Sequence, residues 1–250
     1  MSAYYNEHDP HAAQWLRNLI AAGHIAPGDV DERSIVDVRG TDLAGYTQCH
    51  FFAGIGVWSH ALRQAGWPDD RPVWTGSCPC QSFSAAGSGG GFNDVRHLWP
   101  DWFRLIGECQ PRTVFGEQVA SRDGLAWLDF VCADMEGADY AIAPLDLCAA
   151  GFGAPHLRSR IYFVADATSE RRNACADDGG VVSESICRPA WWEVVPVESS
   201  SARIFLAPVN GIHGVADGLA ERMDRLRALG NGLCAPQAAE FIRAYLDVMP

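Results

Sequence analysis

The run Gln48-Cys49-His50-Phe51-Phe52 feeds directly into Ala53-Gly54-Ile55-Gly56, and Trp58 to Ala65 then reads as a helix stopped by Gly66 and Pro68. A β-rich run, a glycine turn and a helix in that order is the building block of a Rossmann-type α/β sheet, because the helix must return along one face before the next strand can pair in parallel. Arg112-Thr113-Val114-Phe115 leading to a turn at Gly116-Glu117-Gln118-Val119 gives a second such unit. A third is Tyr4-Tyr5-Asn6-Glu7 ahead of a helix from Ala12 to Ala22, whose Trp15, Leu16, Leu19 and Ile20 share one face and are assigned to the core. Further on, alternation along Arg158-Ser159-Arg160-Ile161-Tyr162-Phe163 puts both arginines on one face of a strand. A helix from Pro236 to Leu246 closes the pattern.

With 250 residues, 48% hydrophobic and 20% charged, the chain can bury a substantial core in one main domain. No run approaches the roughly 18 to 20 apolar residues of a membrane span, and Met1-Ser2-Ala3-Tyr4-Tyr5 lacks a secretory pattern, so a cytoplasmic protein is expected. Nine cysteines without zinc-type spacing indicate neither a disulfide framework nor a metal site. The net charge of −12 argues against a broadly basic nucleic-acid binder, yet every basic residue is arginine, the better bidentate ligand for phosphate and base edges. A local basic face on an acidic body remains compatible with nucleic acid.

Pro79-Cys80-Gln81 follows the apolar run Pro72-Val73-Trp74-Thr75 and precedes a glycine-rich stretch, residues 85–93, that reads as a loop. A thiol at a strand end is placed to act as a nucleophile, whereas the ordinary fate of a cysteine is a buried packing group. Taken alone, Cys80 fits either.

Together with that tripeptide, the segments FFAGIG (51–56), FGEQVAS (115–121), PHLRSRIYFVA (155–165) and LGNGL (229–233) make the chain resemble the DNA (cytosine-5) methyltransferase family. The resemblance implies a Rossmann-like class I methyltransferase fold with a small irregular target-recognition insertion, acting on double-stranded DNA as a monomer. It matches Cys80 to the thiol that adds to cytosine C6, and Glu117 to the carboxyl group that hydrogen-bonds N3 and the exocyclic amine. Arg158 and Arg160 match the pair holding cytosine O2 and a neighbouring phosphate. Gln81 and Ser84 resemble the segment that closes over a base extruded from the duplex.

For S-adenosylmethionine, the implied cofactor, the resemblance matches Phe52 to the aromatic packing on adenine, Gly54 and Gly56 to the turn beside the methionine part, and Asn231 to a C-terminal donor motif. Only about twenty residues separate the glycine turn from Cys80, too few for the two further donor units the family carries there. Both resemble segments at the front: Tyr5-Asn6-Glu7 with Glu7 as the ribose ligand, and Pro27-Gly28-Asp29-Val30 with Asp29 and Val30 at adenine. The second and third donor strands are therefore expected to precede the first. Four departures stand out: His50 where the family has Asp, Val57 for a third glycine, Gln118 for Asn and Cys78 for Pro.

The expected divisions are a catalytic domain at 1–166, with 1–47 as its rearranged donor-binding segment, a reduced recognition region at 167–222, and a returning C-terminal part at 223–250. Arg171, Arg172, Arg188 and Arg203 are the first candidates for reading DNA, in a site of about two to four base pairs. Rival expectations are a folate-borne one-carbon donor giving hydroxymethylcytosine, motivated by His50 and the rearranged donor segment, an RNA cytosine methyltransferase, and an inactive base-flipping binder.

Overall fold

The computed structural model describes residues 2–79, 98–154, 157–167 and 233–248. Cys80, Gln81, Ser84, the 85–93 stretch, Arg171, Arg172, Arg188, Arg203 and Asn231 lie outside the described residues.

Seven strands form one sheet: β1 (Ser2–Asn6), β2 (Gly28–Asp31), β3 (Tyr46–Phe51), β4 (Val73–Gly76), β5 (Thr113–Val119), β6 (Ala141–Cys148) and β7 (Ser159–Asp166). Their order across the sheet is β2-β1-β3-β4-β5-β7-β6. The first five are mutually parallel, and β7 runs antiparallel to both its neighbours. Counted from β3, the strand that enters the glycine turn, the parallel part reads 3-2-1-4-5, the order of a doubly wound sheet. The two strands preceding β3 in the chain thus lie on one side of it, β1 in contact and β2 outside.

Helices α1 (Pro10–Ala21), α2 (Val57–Gln64), α3 (Trp99–Cys109), α4 (Arg122–Gly137) and α5 (Ala235–Val248) cover the two faces. Local signals start two of them: Asp9 caps α1, which begins two residues ahead of its expected start at Ala12, by accepting from His11 N and Ala12 N with Pro10 in the first turn, and Ser121 caps α4 through Gly124 N. On one face, Trp99, Trp102, Leu105 and Ile106 of α3 and Trp127 and Val131 of α4 pack on Phe51, Trp74 and Phe163. On the other, Trp58 and Leu62 of α2 and Phe241, Ile242 and Tyr245 of α5 pack on Phe115, Tyr162 and Val164. Leu16 of α1 joins Tyr5, Ile25 and Ala53 in a smaller cluster on β1.

Three expectations change. Trp15 is 41% exposed and is no part of the core, because the α1 stripe buries only Ala12, Ala13 and Leu16 fully. Gly116 to Val119 is strand rather than turn: β5 runs through it, paired with β7, so Glu117 projects from a strand. Finally, Arg158 falls just ahead of β7, with its carbonyl accepting from Ala149 N.

Candidate active site

Parallel strands deliver their carboxyl ends to one edge of the sheet, and an antiparallel neighbour begins there. Phe52, Ser77 and the end of β5 therefore meet the start of β7. The β4–β5 register ends at Gly76 opposite Gly116, so Ser77 and Glu117 come next, side by side. Across β5–β7, Glu117 pairs with Tyr162 and Val119 with Arg160. Close approach requires a glycine at 116: a Cβ there would lie 2.0 Å from the Phe163 ring.

Glu117 is 8% exposed. Its Oε1 lies 2.9 Å from Arg160 Nε, and Arg160 Nη1 donates to Ser159 O at 2.8 Å. Burial pushes the Glu117 carboxyl above its ordinary range, while Arg160, Arg158 and a hydrogen bond from Ser77 pull it back. Arg158 is partly buried, and burial together with the like charge of Arg160 draws its guanidinium down against the attraction of Glu117. Both arginines thus act on the same carboxyl group, Arg160 from within β7 and Arg158 from just ahead of it.

Two residues that the sequence did not single out complete this cluster. Ser77 accepts from Trp58 Nε1 at 3.1 Å, and Tyr162, fully buried, donates to Gln237 Oε1 at 3.3 Å. Gln118 turns to the other face, where its amide donates to Cys78 O at 3.4 Å and accepts from Val119 N at 2.9 Å. Gln118 thereby ties β5 to the segment that runs through Pro79 to Cys80.

At the neighbouring strand ends, Phe52 holds a left-handed backbone, φ 50°, with its ring edge-on to Trp102 at 6.1 Å. Gly54 follows at φ 54°, its backbone N–H donating to Glu7 Oε2 at 2.7 Å; a Cβ built at Gly54 meets nothing within 4 Å. Asp9 N holds the other Glu7 oxygen at 2.9 Å. Glu7 is thus fixed by two backbone donors and keeps acceptor capacity toward an open turn, an arrangement that fits a hydroxyl-bearing nucleoside. Gly56, φ 77°, faces Leu16 and Ile25 instead. Asp29 is exposed and its carboxylate accepts from Tyr46 Oη at 2.9 Å, while Val30 is half-buried against the β1 cluster.

At the end of β2 the acidic group is Asp31, which sequence reasoning passed over. Burial opposes its charge, but Arg33 and Tyr4 hold it below the usual carboxylate range. Its oxygens are taken by Arg33 at 2.7 Å and Tyr4 Oη at 2.7 Å.

His50 is buried beneath the turn, its Nδ1 2.8 Å from Thr75 Oγ1 and its ring stacked on Tyr5 at 4.8 Å. Burial pushes it down to about 3, so the imidazole is neutral at pH 7. It brings no positive charge to the glycine turn.

Residues 68–187 match the model of C-5 cytosine-specific DNA methylases. The type II methyltransferase M.HhaI of Haemophilus parahaemolyticus is 36% identical over 99 residues, 38% of this chain and 30% of the relative. M.SsoII of Shigella sonnei is 32% identical over 108 residues, 42% and 28% respectively. The matched stretches span less than a third of either relative. A prophage-encoded DNA modification methyltransferase structure from E. coli overlays at TM-score 0.44 with 21% identity, covering 66% of this chain and 39% of that one. The residues matched to that model span β4 through β7 and so carry Glu117, Arg158 and Arg160.

Proposed function

We propose that the protein is an S-adenosylmethionine-dependent DNA cytosine-C5 methyltransferase. The observation that carries this reading is the buried Glu117 carboxyl, paired with Arg160 and standing beside the strand end that leads into Pro79 and Cys80. A carboxyl placed there suits a pyrimidine extruded from its duplex, since the reacting atoms are inaccessible within the stack.

The Cys80 thiolate adds to C6, and the electron pair released from the C5–C6 double bond moves toward C5 and, through the ring, toward N3. Glu117, whose hold on a proton burial strengthens, donates at N3 and so stabilises that charge. Arg158 and Arg160 hold O2 and a phosphate, which offsets the cost of the open base pair. S-adenosylmethionine, held by the donor residues, would supply a sulfonium methyl group to C5 and leave as the neutral thioether S-adenosylhomocysteine. Loss of the C5 proton to a base then re-forms the C5–C6 double bond as the Cys80 thiolate leaves, and the N3 proton returns to Glu117.

For the donor, Glu7, Phe52, Gly54 and Asn231 are the residues assigned to its ribose, adenine and methionine parts, with Asp29, Val30 and Gly56 completing the segment. Neutral His50 removes one of the two grounds for a different one-carbon donor, the charge beside the turn. The DNA contacts are assigned to Gln81, Ser84, Arg171 and Arg172.

The test is covalent trapping on a pool of duplexes containing 5-fluorocytosine, with S-adenosylmethionine present. A denaturation-resistant adduct that Cys80→Ser abolishes supports the reading. No adduct across the pool overturns it.

A further inference from the structure

We propose that Ser77 is a positioning residue for Glu117, itself aimed by Trp58, so that a Trp58–Ser77–Glu117 relay fixes the orientation of the carboxyl group. The proposal rests on the reading of Glu117 as the group that donates to the cytosine ring.

Three observations converge on it. Ser77 is the first residue past the Gly76–Gly116 pair and so stands alongside Glu117 at the open edge. Trp58 Nε1 lies 3.1 Å from Ser77 Oγ, and an indole nitrogen can only donate. The serine oxygen therefore accepts from Trp58, leaving its own hydrogen for another acceptor; among the described residues the Glu117 carboxylate, next to Ser77 in register past the Gly76–Gly116 pair, takes that hydrogen bond. Trp58 is itself immobilised: it is buried, stacked on Phe115 at 6.1 Å and edge-on to Tyr162 at 5.9 Å. The direction of the serine hydroxyl is thus set by the core of the fold rather than by solvent.

The consequence is a carboxyl group held by two donors from opposite sides, Arg160 Nε at Oε1 and the Ser77 hydroxyl. Its remaining capacity then points in one direction. A free carboxyl would rotate about its terminal torsion, which is broad and two-fold. The charged and titratable groups facing Glu117 are Arg158, Arg160 and Tyr162 from the β7 side, with Cys234, ahead of α5, facing Arg158 and Tyr162; Ser77 is the neutral donor from the β4 side.

A merely structural Ser77, satisfying only the indole N–H, predicts a loss of stability without a change in chemistry. The two are separated by the pH dependence of the rate of 5-fluorocytosine trapping, measured with the same duplex pool for the unsubstituted protein, Ser77→Ala, Ser77→Thr, Trp58→Phe, the Ser77→Ala/Trp58→Phe double variant and Glu117→Gln. Loss of a hydrogen bond to the ionised carboxyl lets it hold its proton to higher pH. Ser77→Ala is therefore expected to slow trapping by about three- to ten-fold at neutral pH and to move the alkaline limb up by about 0.5 to 1 pH unit. Ser77→Thr, keeping the hydroxyl, restores both. Trp58→Phe gives a smaller shift in the same direction, and the double variant is no slower than Ser77→Ala, because without the hydroxyl the indole has nothing to aim. Should Ser77→Ala not fold, the Trp58→Phe limb alone decides. Unmoved limbs, or single effects that multiply in the double variant, overturn the relay while leaving Glu117 in its role. Trapping by Glu117→Gln at the unsubstituted rate overturns the role of Glu117 and the relay with it.

Discussion

Arg160 Nε lies 2.9 Å from Glu117 Oε1, with both side chains largely withdrawn from water. The pair cannot be read as a surface salt bridge of negligible weight, because burial already opposes the carboxylate charge. Arg160→Ala should therefore destabilise the fold by about 1 to 3 kcal/mol at pH 8. At pH 5 the unpaired carboxyl can take a proton, so the penalty should shrink. Urea unfolding at the two pH values measures both.

His50 makes an opposite kind of demand. Its folded-state affinity for a proton is depressed to about 3, against an ordinary value near 6.5, so the unfolded chain binds the extra proton between those limits. Stability contributed by neutral His50 is present above pH 6.5 and is lost as pH falls toward 3. Between pH 6.5 and pH 5 the loss is about 2 kcal/mol. His50→Gln should flatten that part of the profile, as read by denaturant melts across the range.

Glu7 and Gly54 are 47 residues apart in the chain and joined at 2.7 Å. Glu7→Gln keeps an acceptor for the Gly54 N–H but removes the charge, and should weaken S-adenosylmethionine binding by about ten-fold with little change in melting temperature. Glu7→Ala should weaken it further and also loosen the turn. Calorimetric titration with S-adenosylmethionine compares the two.

Two glycines should respond differently to the same change. Gly116→Ala drives a methyl group into the Phe163 ring at 2.0 Å and should cost about 3 kcal/mol or prevent folding. Gly54→Ala has open space but a left-handed backbone, so about 1 to 2 kcal/mol is expected. Thermal melts of the two variants rank them.

The elements were legible where a local signal fixes them. The glycine turn at 53–56 and the strand ahead of it depend on a few adjacent residues, and α2 lies within one residue of its expected bounds. Strand alternation covered Arg160 but not Arg158, which falls just ahead of β7 and is brought to Glu117 by the turn instead. What escaped depends on register, which no single segment encodes: Ser77 matters only because Gly76 stands opposite Gly116, and Trp58 only because α2 lies over that pair. Trp15 misled because helical spacing marks a stripe but not its width. The Glu117 segment looked like a turn because of its glycine, whose actual reason is room for the Phe163 ring.

The segment β1–α1–β2 meets the rest of the sheet along a single border, the near edge of β3. A chain re-spliced so that these residues followed α2 instead of leading it would keep every strand beside its present neighbours. The tertiary arrangement is indifferent to which piece the ribosome makes first, and such a transplant needs only linkers long enough to bridge the new joints.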